Sequence, residues 1–105
     1  MTINITANNL DLTPPFREYI EEKINSLDKL LSHFDPGSVT ARVVVARTTN
    51  HHKHGDVYHA DGNLKFPGEV IRAEAEGDDP RKVIDEVKDK LHRELVKIKE
   101  IRSGH

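Results

Sequence analysis

The side chains with the clearest chemical potential in this sequence are cations gathered near its end. Arg81, Lys88, Lys90, Arg93, Lys97 and Lys99 lie close together in the chain. A lysine ammonium is a compact charge on a flexible stem and an arginine fork bonds phosphate bidentately, so such a set suits a polyanion. On a helix of about 100° per residue, Arg81, Lys88, His92 and Lys99 share one flank of an apolar stripe. Lys90, Arg93 and Lys97 take the other flank, with Asp85, Glu86, Asp89 and Glu100 toward the back. One reading is a phosphate-contacting ridge. The other is a solvated helix laced by pairs such as Glu86 with Lys90 and Asp89 with Arg93, and spacing alone leaves both open. Base reading is not expected, because few aromatics interleave with the charges and phosphate contact carries no sequence information.

Two further groups invite chemistry. His51, His52, His54 and His59 crowd one segment, and clustered imidazoles can bind a transition metal. With no cysteine beside them and no zinc-site spacing, a His-rich turn is the expected reading and no metal site is assigned. Glu76-Gly77-Asp78-Asp79 resembles a carboxylate set, but its place before Pro80 suits a helix cap that complements the helix dipole. The glycines form no phosphate loop or dinucleotide fingerprint, there is no HExxH, and no serine sits in a nucleophile elbow. No catalytic residue, cofactor or small-molecule substrate is therefore expected.

The whole chain must position these groups with 105 residues, enough for one domain with one modest core. The absence of cysteine favours a reducing compartment, and no apolar run approaches a membrane span. A cytoplasmic protein with no membrane partner is expected. The net charge of −2 hides an asymmetry. Residues 1–80 carry 8 Lys/Arg against 13 Asp/Glu, a balance of −5, whereas residues 81–102 carry 8 against 5, a balance of +3. Binding to RNA responds to the local field near the phosphates, so the basic segment outweighs the sum.

Ile3 and Ile5 alternate with polar residues, which predicts a short strand. Thr13-Pro14 then starts a helix whose stripe is Phe16, Ile20, Ile24, Leu27, Leu31 and Phe34, ending at Asp35-Pro36-Gly37. Val39 to Arg47, Val57 to Phe66 and Val70 to Glu76 read as strands, the first two joined by a polar loop from Thr48 to Asp56. Asp79-Pro80 repeats the cap-plus-proline device. A helix follows to about Arg102 with a narrow stripe of Ile84, Val87, Leu91, Leu95 and Ile98. The order β-α-β-β-β-α predicts an α+β two-layer sandwich, a four-stranded sheet with two helices on one face. The outer face, with His59, Asp61, Lys65, Arg72 and Glu74, is too polar for an obligate interface, so a monomer is expected.

In this order, Ile3-Asn4-Ile5-Thr6-Ala7-Asn8-Asn9, Arg17-Glu18-Tyr19-Ile20 with Lys23 and Leu27, and Ile71-Arg72-Ala73-Glu74-Ala75-Glu76-Gly77 carry a family likeness. With the final helix from Ile84-Asp85 through Asp89-Lys90-Leu91 and Arg93 to Lys99, the chain resembles the ribosome-hibernation family over nearly its whole length. That family contains the short hibernation-promoting factor and the related ribosome-associated inhibitor. The resemblance implies a fold like double-stranded-RNA-binding domains with an added strand. It also implies binding to the small (30S) ribosomal subunit and its 16S rRNA, in the channel for mRNA and tRNA, to silence translation under stress or in stationary phase. Basic positions matching the family pattern are Lys23, Lys90, Arg93, Lys97 and Lys99. Lys23 sits at the edge of the first helix's stripe, where its stem can lie on the core. Where the family commonly has an aromatic this chain has Arg81, and where it commonly has glutamine and histidine this chain has Glu94 and Ile98.

The sequence thus predicts one ribosome-binding domain over residues 1–105. Its RNA-binding candidates are Lys23, Arg81, Lys88, Lys90, Arg93, Lys97 and Lys99. Ending at His105, it is expected to lack the extra C-terminal domain of long family members. The rival functions are an RNA-binding module acting on other structured RNA and a metal-binding protein using the His51–His59 segment.

Overall fold

The computed structural model describes residues 1–49 and 55–103. The elements run β1 (Thr2–Asn8), α1 (Pro14–Asn25), two 3-10 turns (Asp28–Leu30 and Pro36–Ser38), β2 (Thr40–Thr49), β3 (Asp56–Phe66), β4 (Glu69–Gly77) and α2 (Pro80–Ser103). The predicted α+β order is observed. The sheet order is β1-β2-β3-β4, with β1 parallel to β2 and the other pairs antiparallel. The parallel pair follows from its connection: a helical crossover returns the chain to the same end of the sheet, which a tight hairpin cannot do.

Both helices cover one face. The sheet contributes Val43, Val45, Ala60, Leu64, Ile71, Ala73 and Ala75 to the core. They meet Phe16, Ile20 and Ile24 of α1 and Val83, Ile84, Val87, Leu91 and Leu95 of α2. Each large apolar side chain fully buried there contributes on the order of 1.5–3 kcal/mol. In β4 the alternation is strict: Ile71, Ala73 and Ala75 are buried while Arg72, Glu74 and Glu76 are exposed. The outer face is polar, with Arg72 3.3 Å from Glu74 and 3.9 Å from Asp61, and Asn63 Nδ2 donating to Asp61 at 3.3 Å.

One inward position carries no side chain, and it sets where α2 sits. A Cβ added to Gly62 on β3 would lie 2.9 Å from Val87 Cγ1 and 3.3 Å from Leu91 Cδ1. The helix therefore rests almost directly on the β3 backbone. That close seat fixes which flank of α2 meets α1 and which meets β4.

Both predicted caps form. Thr13 Oγ1 accepts from Phe16 N at 3.4 Å, and Asp79 Oδ1 accepts from Arg81 N at 2.9 Å and Lys82 N at 3.4 Å. Such caps satisfy backbone donors that have no partner inside the helix.

The end of α1 differs from expectation. It stops at Asn25, ten residues before Asp35, and the chain continues as tighter turns. Ser26 Oγ donates to Lys23 O at 2.5 Å, competing for a carbonyl of the last turn. Beyond it, Leu27 N, Leu30 N and Leu31 N each donate three residues back, at 2.9–3.0 Å. The apolar stripe survives this change of winding, since Leu27 and Leu31 are buried and Phe34 packs against the core. β2 and β3 also run further than predicted, to Thr49 and from Asp56, so the polar loop is shorter at both ends. His51, His52 and His54 lie outside the described residues. Among the described residues, no helix is long and apolar enough to cross a membrane.

Candidate nucleic-acid interface

The first turns of α2 lie beside the middle of α1, and the contact is polar. Tyr19 is half-buried in the groove between the helices and its hydroxyl donates to Asp85 Oδ1 at 2.5 Å. The same carboxylate oxygen lies 3.5 Å from Lys23 Nζ. Two cations face the tyrosine ring: the Arg81 guanidinium at 4.7 Å and the Lys23 ammonium at 5.4 Å from its centroid. These distances fall within the range of a cation attracted to a ring face. Burial first, then the hydrogen bond to Asp85 and the charge of that carboxylate, push the Tyr19 pKa up to about 12; Arg81 opposes them. At neutral pH the hydroxyl is a firm donor.

Lys88 lies one turn further along α2, 2.9 Å from Asp89 Oδ1, with its side chain 22% exposed. That hydrogen bond holds the Asp89 carboxyl below its ordinary range. At the far end of the helix Lys99 borders an apolar recess of about 390 Å³ formed by Leu30, Leu31, Phe34, Phe66, Leu95 and Ile98. At its near end Arg81 borders an open cleft of about 1140 Å³, with Arg47, Tyr58 and Phe16 among its walls. From Arg81 to Lys99 the flank extends about 27 Å at the helical rise of 1.5 Å per residue.

The remaining candidates lie across the helix. Lys90 Nζ donates to the Glu74 carbonyl at 2.7 Å, reaching from α2 to the open edge of β4. Lys90 and Arg93 line a shallow recess with Arg72, Glu74 and Glu94. Lys97 is exposed on the same flank. The seven predicted cations do not converge: Lys23 and Arg81 meet at Tyr19, Lys88 pairs with Asp89, Lys99 borders the recess beyond α1, Lys90 and Arg93 lie beside β4, and Lys97 is exposed.

Asp85 is a correction. The sequence put it at the solvated back of the helix, and it points into the α1–α2 groove. The angular difference from Arg81 is small, and a hydroxyl and an ammonium wait for it on α1. Tyr19 was also missed as a site residue. A signal existed: it stands four residues before Lys23, which puts both on one helical face. The predicted histidine group retains only His59 among the described residues, on the outer face 3.7 Å from Glu74. No group of three or more His, Cys, Asp or Glu among the described residues is arranged to hold a metal ion.

Residues 3–103 match the family described as Sigma 54 modulation protein / S30EA ribosomal protein. The chain belongs to this family. Its relatives include the ribosome hibernation promoting factor of Klebsiella oxytoca, 30% identical over 105 residues and covering all of both chains. The ribosome hibernation promotion factor of Deinococcus radiodurans is 34% identical over 95 residues, which are 90% of this chain and 47% of that protein. The chain therefore spans about half the length of the Deinococcus relative and the full length of the Klebsiella one. Among solved structures, a ribosomal subunit interface protein from Coxiella burnetii superposes with a TM-score of 0.72 at 28% identity, covering 94% of this chain and 98% of that one. In this S30EA-family chain, Lys23 of α1 and Arg81 of α2 meet at Tyr19, while Lys90 and Arg93 of α2 lie beside β4.

Proposed function

We propose that this chain is a ribosome hibernation factor of the cytoplasm, a non-enzymatic protein that occupies the small ribosomal subunit in the mRNA and tRNA channel and silences translation. Membership of the S30EA family supports the hibernation role. The observation that carries the site is the α1–α2 groove, where Lys23 of α1 and Arg81 of α2 stand together beside Tyr19, with Lys88 further along α2. Cations from separate elements in one groove can follow an RNA backbone, and 16S rRNA is the proposed polyanion. Lys90, Arg93, Lys97 and Lys99 add contacts along the rest of α2. Off the ribosome the protein is a monomer, because its outer sheet face is charged.

Cosedimentation with purified small and large subunits tests this reading. The chain pellets with small subunits and inhibits translation in a lysate, while large subunits alone retain little. Each phosphate contact releases condensed counterions, so four to six contacts give a log–log salt slope of about −3 to −5. Binding to other structured RNA with equal affinity would overturn the assignment in favour of a general RNA-binding module.

A further inference from the structure

Tyr19 and Asp85 are not among these cations, yet every close polar contact described between α1 and the start of α2 passes through them. Long cationic side chains are ordinarily mobile, and ordering them on binding costs affinity. Here the Arg81 guanidinium lies on the face of the Tyr19 ring, while Lys23 is held between that ring and Asp85. A guanidinium attracted to a ring face keeps N–H donors that do not point at the ring, and these remain available for phosphate. The carboxylate is itself oriented by the Tyr19 hydroxyl. We infer that Tyr19 and Asp85 are positioning residues that hold Lys23 of α1 and Arg81 of α2 as one preordered two-cation clamp for an RNA phosphodiester.

This inference rests on the groove reading above, and it makes an unusual demand of a carboxylate. A negative charge beside a phosphate site opposes binding by simple attraction, so removing it should tighten the complex. If Asp85 positions Lys23, removing its charge has the opposite effect. Asp85→Asn preserves shape and keeps an oxygen to accept from Tyr19, but releases the ammonium. Tyr19→Phe preserves the ring under Arg81 and releases the carboxylate.

The test is the affinity of purified small subunits for wild type, Asp85→Asn, Tyr19→Phe, the Lys23→Ala/Arg81→Ala double variant, and each single change in that double background. Circular dichroism and melting temperature establish folding; should Tyr19→Phe fail to fold, Asp85→Asn carries the test alone. The double variant weakens binding about tenfold or more, as expected for two lost phosphate contacts. Asp85→Asn weakens it about two- to fivefold although it makes the groove more positive, and Tyr19→Phe about three- to tenfold. In the double background Tyr19→Phe adds nothing and Asp85→Asn tightens binding, since only its charge remains to matter. If the double variant binds like wild type, the groove is not the RNA site and the functional reading of it fails. If the double variant is weakened but Asp85→Asn tightens the wild-type complex, or Tyr19→Phe costs as much without Lys23 and Arg81 as with them, the site stands and the clamp does not.

Discussion

On its α1-facing flank, α2 meets side chains: Arg81 lies over a tyrosine ring, and Asp85 receives a hydroxyl and an ammonium from the neighbouring helix. On its β4-facing flank it meets backbone, where the nearest cation, Lys90, donates to the carbonyl of Glu74 on an edge strand. Both flanks are basic, but the partners give the charges different work. A ring and a carboxylate hold two cations at a set separation from one another. A lysine laid on an edge carbonyl helps block pairing by another strand, one of the ordinary protections of a sheet edge. Similar residue types thus yield a preordered groove on one side and an edge guard with two outward cations on the other.

Charge reversal gives the largest contrast. Lys23→Glu/Arg81→Glu/Lys88→Glu should lower affinity for small subunits by about 100-fold or more, since three attractive charges become repulsive beside phosphate. Lys90→Glu/Arg93→Glu/Lys97→Glu should cost about ten- to thirtyfold. Equal losses in cosedimentation would erase the distinction between the flanks.

Gly62→Val acts on both flanks at once, because it lifts α2 from β3. Overpacking of this kind costs about 1–3 kcal/mol, measurable by urea denaturation. Its effect on binding should scale with both triple variants alike; a selective loss at one flank would show that the seat of α2 is not their common frame.

Alkaline titration sharpens the α1 side. Tyr19 holds its proton in the folded state to about 12, against 10 in the unfolded chain. The folded state therefore binds more protons in that window. The stabilisation is complete below pH 10 and is lost as pH rises from 10 to 12. Tyr19→Phe should flatten this part of the pH–stability curve and remove a late phenolate transition at 295 nm. An unchanged curve would mean that the groove does not hold the hydroxyl.

The smallest effect belongs to the edge. Lys90→Met should destabilise by about 0.5–1 kcal/mol through the lost carbonyl bond. Lys97→Met should stay within about 0.5 kcal/mol. If the two are indistinguishable in denaturation midpoint, the edge contact contributes nothing.

Much of the fold was legible because its signals are local. Alternation in Val70 to Glu76 depends only on neighbouring residues, as do the Thr13-Pro14 and Asp79-Pro80 starts, and all three held. The early stop of α1 was not legible: Phe16 to Phe34 keeps its apolar spacing through a change from α to 3-10 winding, so periodicity gave no warning at Asn25. The cations were legible by type, and a helical wheel divided them between two flanks. Tyr19 and Asp85 were not, because their meaning comes from meeting each other across 66 positions. A wheel drawn for one helix cannot show what the other helix offers it.

The parallel pairing of β1 has a consequence during synthesis. Thr2 lies opposite Thr40, and Asn8 opposite Ala46, so the first strand made has no partner until 38 further residues have followed. At ribosomal rates of about 5–20 residues per second that is a delay of roughly 2 to 8 seconds before its partner is even made. Until β2 has also emerged from the ribosome, Thr2–Asn8 is an orphan segment. It holds only two large apolar residues, Ile3 and Ile5, spaced by threonine and asparagine. Such a segment has little to gain from sticking to a neighbouring nascent chain, and it can wait in water until β2 arrives.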